Sequence, residues 1–87
     1  MKDQDVRRLK EELEKRLKAD VEFEKVAKGR FRFSVVSPIF KRKTQMARQD
    51  RVWEIVDEVL TRDTSLDVSL ILTFTPNELQ EKSPIPG

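Results

Sequence analysis

The side chains of this chain that could take part in chemistry are carboxylates, amines and guanidinium groups, because its 87 residues include no Cys and no His. Without Cys there is no nucleophilic thiol, no disulfide and no thiolate ligand for an iron–sulfur centre. Without His the chain lacks the commonest metal ligand and the base of the usual Ser and Cys catalytic sets. The carboxylates that could act as a general acid or base are Asp50, Glu54 and Asp67. The sequence shows no other catalytic group that would converge on any of them. We therefore expect no enzyme, no metal ligand and no cofactor.

The cations of the chain are concentrated in its middle. Residues 30–51 contain seven Lys or Arg against one Asp, whereas residues 52–87 contain two against seven Asp or Glu, so the formal net charge of +2 hides a basic segment. Clustered Lys and Arg can neutralise phosphates, and the guanidinium group suits their bidentate geometry. The candidate anion-binding or nucleic-acid-binding residues are Lys41, Arg42, Lys43, Arg48 and Arg51. The alternative interpretation is a solvated loop that keeps the chain soluble.

Hydrophobic spacing predicts the elements that precede this segment. An amphipathic helix is expected over residues 5–18, because its apolar residues recur at steps of three and four. Two strands are expected over 21–26 and 30–37, joined by a hairpin turn at Ala27-Lys28-Gly29. Ser37-Pro38 should end the second strand, since Pro cannot donate to a sheet.

The second half of the chain is predicted to hold further helices around one strand. Thr44 can cap a short helix through Arg48, and apolar spacing predicts another helix over 50–61. After a polar connection at 61–65, a strand is expected over 66–74, where Leu66, Val68, Leu70, Leu72 and Phe74 alternate with other residues. Thr75-Pro76-Asn77-Glu78 has the form of a capping box at a helix start.

The resulting order, α–β–β–α(α)–β–α, predicts an α+β fold: a small single domain over residues 1–81, with a three-stranded mixed sheet and helices packed on one face. The alternating aromatic and Leu positions are expected in its core, and residues 82–87 are expected to form a flexible tail. No apolar run approaches the roughly 20 residues of a membrane span. The expected location is therefore cytoplasmic, with no membrane partner.

These residues together resemble the BolA family. The likeness runs from Phe31 to Glu78 without a gap: a strand Phe31-Arg32-Phe33-Ser34-Val35-Val36-Ser37, then Phe40, Lys43, Arg48 and Val52, and finally Thr75-Pro76-Asn77-Glu78. The family has a strand of the form F-x-V-x-V-V-S, a loop containing F and G-K, a helix start R-H-R-x-V, and a last strand ending on T-P-x-E. The resemblance implies the family's small α+β fold, which is similar to class II KH domains.

The resemblance also implies partners. BolA-like proteins bind monothiol glutaredoxins and share a two-iron two-sulfur cluster with them, and some are described as DNA-binding regulators. In this chain, however, Asp67 stands where the family has its cluster-ligating His, and Gln49 stands where the R-H-R motif has its His. A carboxylate is a hard oxygen donor that replaces imidazole poorly at an iron–sulfur iron.

Two functions follow as expectations. The first is a non-catalytic BolA-like interaction or regulatory module that docks a partner such as a monothiol glutaredoxin around Arg48 and Asp67, with cluster ligation impaired or lost. The second is a KH-like protein that binds DNA or RNA through the basic segment 41–51. KH domains clamp phosphates with a G-x-x-G loop, whereas the loop here, from Phe40 to Thr44, contains no Gly.

Overall fold

The structure, a computed structural model, describes residues 2–81, and the predicted tail at 82–87 lies outside the described residues. Its elements follow the predicted order and are α1 (Asp3–Leu17), β1 (Asp20–Ala27), β2 (Arg30–Val36), a 3₁₀ turn (Pro38–Phe40), α2 (Gln45–Val59), α3 (Arg62–Ser65), β3 (Val68–Phe74) and α4 (Pro76–Glu81). Within residues 2–81, no helix has the length and apolar character needed to cross a membrane.

The sheet is mixed, as predicted. Its strand order is β1-β2-β3, with β1 antiparallel to β2 and β2 parallel to β3. Gly29 closes the β1–β2 hairpin in the left-handed conformation that glycine adopts at no steric cost. One face of the sheet carries the helices, and the apolar stripe of α1 packs there with alternate residues of β2. The core includes Val6, Leu9, Leu13, Leu17, Phe31, Phe33 and Val35.

The helices after the hairpin differ from the prediction in their bounds. Residues 45–59 form one continuous helix instead of two, because no Gly or Pro interrupts them. Thr44 caps this helix as expected, accepting a hydrogen bond from the Ala47 N–H at 3.1 Å. The polar connection contains one helical turn, α3, whose cap Thr61 accepts from the Thr64 N–H at 3.1 Å.

The predicted buried face of β3 is wrong. Within β3, Leu70 is 47% exposed, whereas Ile71 and Thr73 are buried. Leu66 is 72% exposed because it ends α3 and lies before the strand, which begins at Val68. Leu70 needs a different explanation. The cause is a bulge: Phe31 pairs with Val68, but Arg32 pairs with Leu70, which leaves Ser69 as an extra residue. Because side chains alternate with a period of two, one extra residue moves Leu70 and the residues after it to the opposite faces.

A buried serine joins three elements at the end of β2. The Ser37 hydroxyl donates to the Leu17 carbonyl at the end of α1 and accepts from the Ile39 N–H at 3.2 Å. The Ser37 N–H donates to the Phe74 carbonyl at the end of β3 at 2.9 Å. Ser37 therefore fixes where α1 and the 3₁₀ turn meet the sheet.

Replacing Ser37 by Ala should lower the free energy of unfolding by about 1–2 kcal/mol, because the buried Leu17 carbonyl loses its donor. Urea denaturation followed by circular dichroism measures this change. Ser65→Ala is the matched control, since the Ser65 hydroxyl bonds the Arg62 carbonyl at the surface. Equal losses for the two variants would contradict the role given to Ser37.

Candidate functional site

The predicted basic residues fall into two groups. Lys41, Arg42 and Lys43 are exposed in the loop between the 3₁₀ turn and α2, and we call these three residues the basic loop. Arg51 lies further along α2, where its guanidinium donates to Glu54 at 2.7 Å. Only the basic loop forms a continuous cationic surface among the predicted residues.

Arg42 holds an unusual backbone conformation, with φ at 67°. For residues other than Gly, the left-handed conformation costs roughly 1–2 kcal/mol. Arg42 therefore holds a backbone conformation that Gly adopts at no steric cost. The loop thus keeps a glycine-like backbone while carrying an additional charge.

Arg48 is 4% exposed and lies behind the basic loop. Its Nε donates to the Lys43 carbonyl at 3.0 Å, and its two terminal nitrogens donate to the Glu78 carboxylate at 2.6 and 3.0 Å. Its guanidinium also lies 5.7 Å from the centre of the Phe40 ring. Arg48 therefore holds the basic loop, α2 and α4 together, and its donors are directed into the protein.

Asp67 lies at the other end of β3 from Arg48. Its N–H donates to the Thr64 carbonyl at 3.0 Å, and its carbonyl accepts from the Phe31 N–H at 2.8 Å. Asp67 precedes the first residue of β3, whereas the partner of Arg48, Glu78, follows the strand's end. Seven strand residues separate the two sites by roughly 20 Å. The structure therefore does not bring the two predicted partner-binding residues into one patch.

Two glutamines of α2 cover the outer edge of β3. The Gln49 amide donates to the Ile71 carbonyl at 2.9 Å and accepts from the Trp53 indole at 3.1 Å. One turn earlier, the Gln45 amide donates to the Thr73 carbonyl at 3.4 Å and accepts from the Thr73 hydroxyl at 2.7 Å. Sequence reasoning missed this pair, whose only signal is the spacing of two Gln by one helical turn.

The residues at the family's His positions do not fit an iron–sulfur cluster. Asp67 offers a hard carboxylate, and both polar atoms of the Gln49 amide are already hydrogen-bonded within the fold. Within residues 2–81, no group of three or more His, Cys, Asp or Glu side chains is placed to hold a metal ion.

No family model and no curated protein matches the chain. Three solved chains match this fold, and two of them are BolA proteins or domains. The BolA domain of SufE1 from Arabidopsis thaliana matches with a TM-score of 0.70 and 24% identity, over 90% of this chain and 98% of that chain. BolA1 from Arabidopsis thaliana matches with a TM-score of 0.68 and 21% identity, over the same shares of the two chains. The chain therefore has a BolA-like fold.

Replacing Arg48 by Met should lower the free energy of unfolding by about 2–3 kcal/mol, because charged hydrogen bonds to Glu78 and to the Lys43 carbonyl are lost. Arg51→Met on the same helix is the control, and its exposed pair with Glu54 should be worth at most about 1 kcal/mol. Chemical denaturation of both variants measures the difference. A cost for Arg48→Met no larger than that of the control would show that the buried guanidinium does not hold the loop.

Proposed function

We propose that this chain is a non-catalytic BolA-like protein-interaction module that does not itself ligate an iron–sulfur cluster. The observation that carries the proposal is that both polar atoms of the Gln49 amide are hydrogen-bonded within the fold, to the Ile71 carbonyl and to the Trp53 indole. Where the family would place an imidazole, this chain has a side chain that fixes α2 to the edge of β3. The fold also occurs as a domain of another protein, since one similar structure is the BolA domain of SufE1.

The proposed partner is a monothiol glutaredoxin, the class that the resemblance implies. Asp67 is the proposed contact residue, because it is partly exposed at the start of β3 and occupies the position of the family's ligand. Arg48 contributes indirectly, since its ion pair with Glu78 fixes α4 after the last strand. A carboxylate at this position can accept hydrogen bonds from a partner without binding its iron.

Mixing the chain with a cluster-loaded monothiol glutaredoxin should give a complex on gel filtration and leave the visible absorption of the glutaredoxin unchanged. The reason is that the chain supplies neither thiolate nor imidazole to the cluster. A changed spectrum would contradict the absence of ligation, and separate elution of the two proteins would contradict the partner.

Asp67→His supplies a sharper version of the same experiment. Imidazole is a ligand that iron–sulfur centres accept, so this variant should change the visible spectrum of the complex. Asp57→His, at an exposed position on α2, is the control and should leave the spectrum as it is. If both variants behaved alike, Asp67 would not face the cluster of the partner.

A second candidate function, KH-like binding of single-stranded nucleic acid, is favoured by the conformation of Arg42. This exposed cation holds its conformation despite the cost of a positive φ. Lys41 and Lys43 flank it, and the N-terminus of α2, which attracts anions through its helix dipole, follows directly. Arg51 would add a further charge along the same helix.

Arg42→Gly should weaken binding to a single-stranded oligonucleotide. The slope of log affinity against log salt concentration should fall by about one, the value expected for one lost phosphate contact. Stability should stay equal or rise, because Gly accepts the left-handed conformation. Fluorescence anisotropy across a salt series measures the binding. Lys18→Gly is the matched control: Lys18 is also exposed at a positive φ, but it caps the end of α1.

In this second candidate, replacement of Lys41, Arg42 and Lys43 by Ala should abolish the binding. Absence of wild-type binding at low salt, or equal losses for Arg42→Gly and Lys18→Gly, would exclude the basic loop as a nucleic-acid site.

A further inference from the structure

The two edges of the sheet differ. At the β3 edge, Gln45 and Gln49 donate to the carbonyls of Thr73 and Ile71, so the backbone there is partly occupied. At the opposite edge, β1 pairs with β2 along its length, and within residues 2–81 no other backbone hydrogen bond involves residues 21–27. The outer edge of β1 is therefore open.

The open edge carries acidic side chains. Asp20, Glu22 and Glu24 are exposed and alternate along β1, which places all three on the face of the sheet opposite to the helices. Glu24 pairs with Arg32 on the neighbouring strand. Asp20 and Glu22 form no ion pair with any residue that the structure describes. An extended chain lying beside β1 would therefore meet a row of negative charge.

The other side of β1 exposes apolar surface. Phe23 packs on Phe31 and Phe33, with ring centres at 6.3 and 5.9 Å, yet it remains 42% exposed. Alternation along β1 thus gives acids on one side and Phe23 on the other.

A groove of about 580 Å³ begins beside this strand. Lys10 and Glu14 of α1 form one wall, and Asp20 and Glu22 of β1 lie next to them. The groove continues over Ser34, Val36 and Phe74 on the face without helices. Its volume lies within the range of ligand sites, and its rim is more acidic than basic.

We propose that the edge of β1 is a docking site for an extended basic segment of a partner protein, which adds to the sheet as a fourth strand. Lys or Arg at alternate positions would face Asp20 and Glu22, and apolar residues between them would pack near Phe23. Backbone hydrogen bonds would supply affinity, and the charge pattern would supply specificity. The inference rests on the proposed function as an interaction module and assigns that module a surface and a class of ligand.

The charges also decide against a second copy of this chain as the occupant. Two β1 strands placed edge to edge would bring their acidic rows together, and like charges on paired strands repel. Pairing of β1 with the β3 edge of another copy would displace the Gln45 and Gln49 amides from their carbonyls. A partner with alternating cations meets neither obstacle.

The test uses a fluorescent seven-residue peptide in which Lys and Val alternate, titrated against the whole chain at physiological ionic strength. We expect saturable binding and slower hydrogen exchange of β1 amides. The same peptide with every backbone nitrogen methylated keeps its side chains but cannot donate to the strand, and it should bind at least about tenfold more weakly. Equal binding of the two peptides would overturn strand addition.

Glu22→Lys should lower the affinity for the alternating Lys and Val peptide by at least about tenfold, because it reverses the charge in the middle of the acidic row. Asp57→Lys makes the same change of charge on α2 and should leave the affinity unchanged. Equal losses of affinity for both variants would reduce the contact to general electrostatic attraction and overturn the proposal.

Gel filtration with glutaredoxin separates this proposal from the proposed function. If glutaredoxin co-elutes but the peptide does not bind, the β1 site is wrong and the proposed function stands. If the peptide binds and glutaredoxin elutes alone, the β1 site stands without that partner.

Discussion

The hydrogen bonds of the buried Arg48 guanidinium hold the basic loop and α4 against α2, and this end of the structure depends on them. A buried cation is tolerated only when its donors are satisfied, and here Glu78 takes two of them while the Lys43 carbonyl takes a third. Glu78 in turn accepts from the Thr75 N–H at 2.9 Å, and its own N–H donates to the Thr75 hydroxyl at 3.2 Å. The Arg of one motif and the Thr-Pro-x-Glu of the other are therefore a single hydrogen-bonded unit. This unit positions the basic loop on one side and starts α4 on the other.

Local patterns in the sequence were sufficient for the order of elements, the caps at Thr44 and Thr75, and the mixed sheet. They were insufficient where the outcome depends on a tertiary contact. The bulge at Ser69 moves Leu70 to the open face, although the hydrophobic alternation in that strand looks unbroken. Arg48 looks like a surface cation in the sequence, because its neighbours in the basic segment are exposed. Only its pairing with a carboxylate 30 residues away distinguishes it from them.

The Gln49 amide makes a link between α2 and β3 that an imidazole at this position would make only while it is neutral. A neutral imidazole has one donor and one acceptor, and it loses the acceptor when it is protonated. The Gln amide donates to the Ile71 carbonyl and accepts from Trp53 without titrating. Gln49 is therefore a link between α2 and β3 that does not depend on protonation.

The β3 edge of the sheet is covered by two glutamines, whereas the β1 edge is open to a partner strand. A partner strand that approached β3 would have to break the Gln45 and Gln49 hydrogen bonds before forming its own, so its net gain would be small. The edge of β1 requires no such rearrangement, and its strand is already held by β2 and by the packing of Phe23 on Phe31 and Phe33. Binding to a preformed edge avoids the cost of ordering it. The glutamines that close β3 therefore favour β1 as the edge where a partner strand can add.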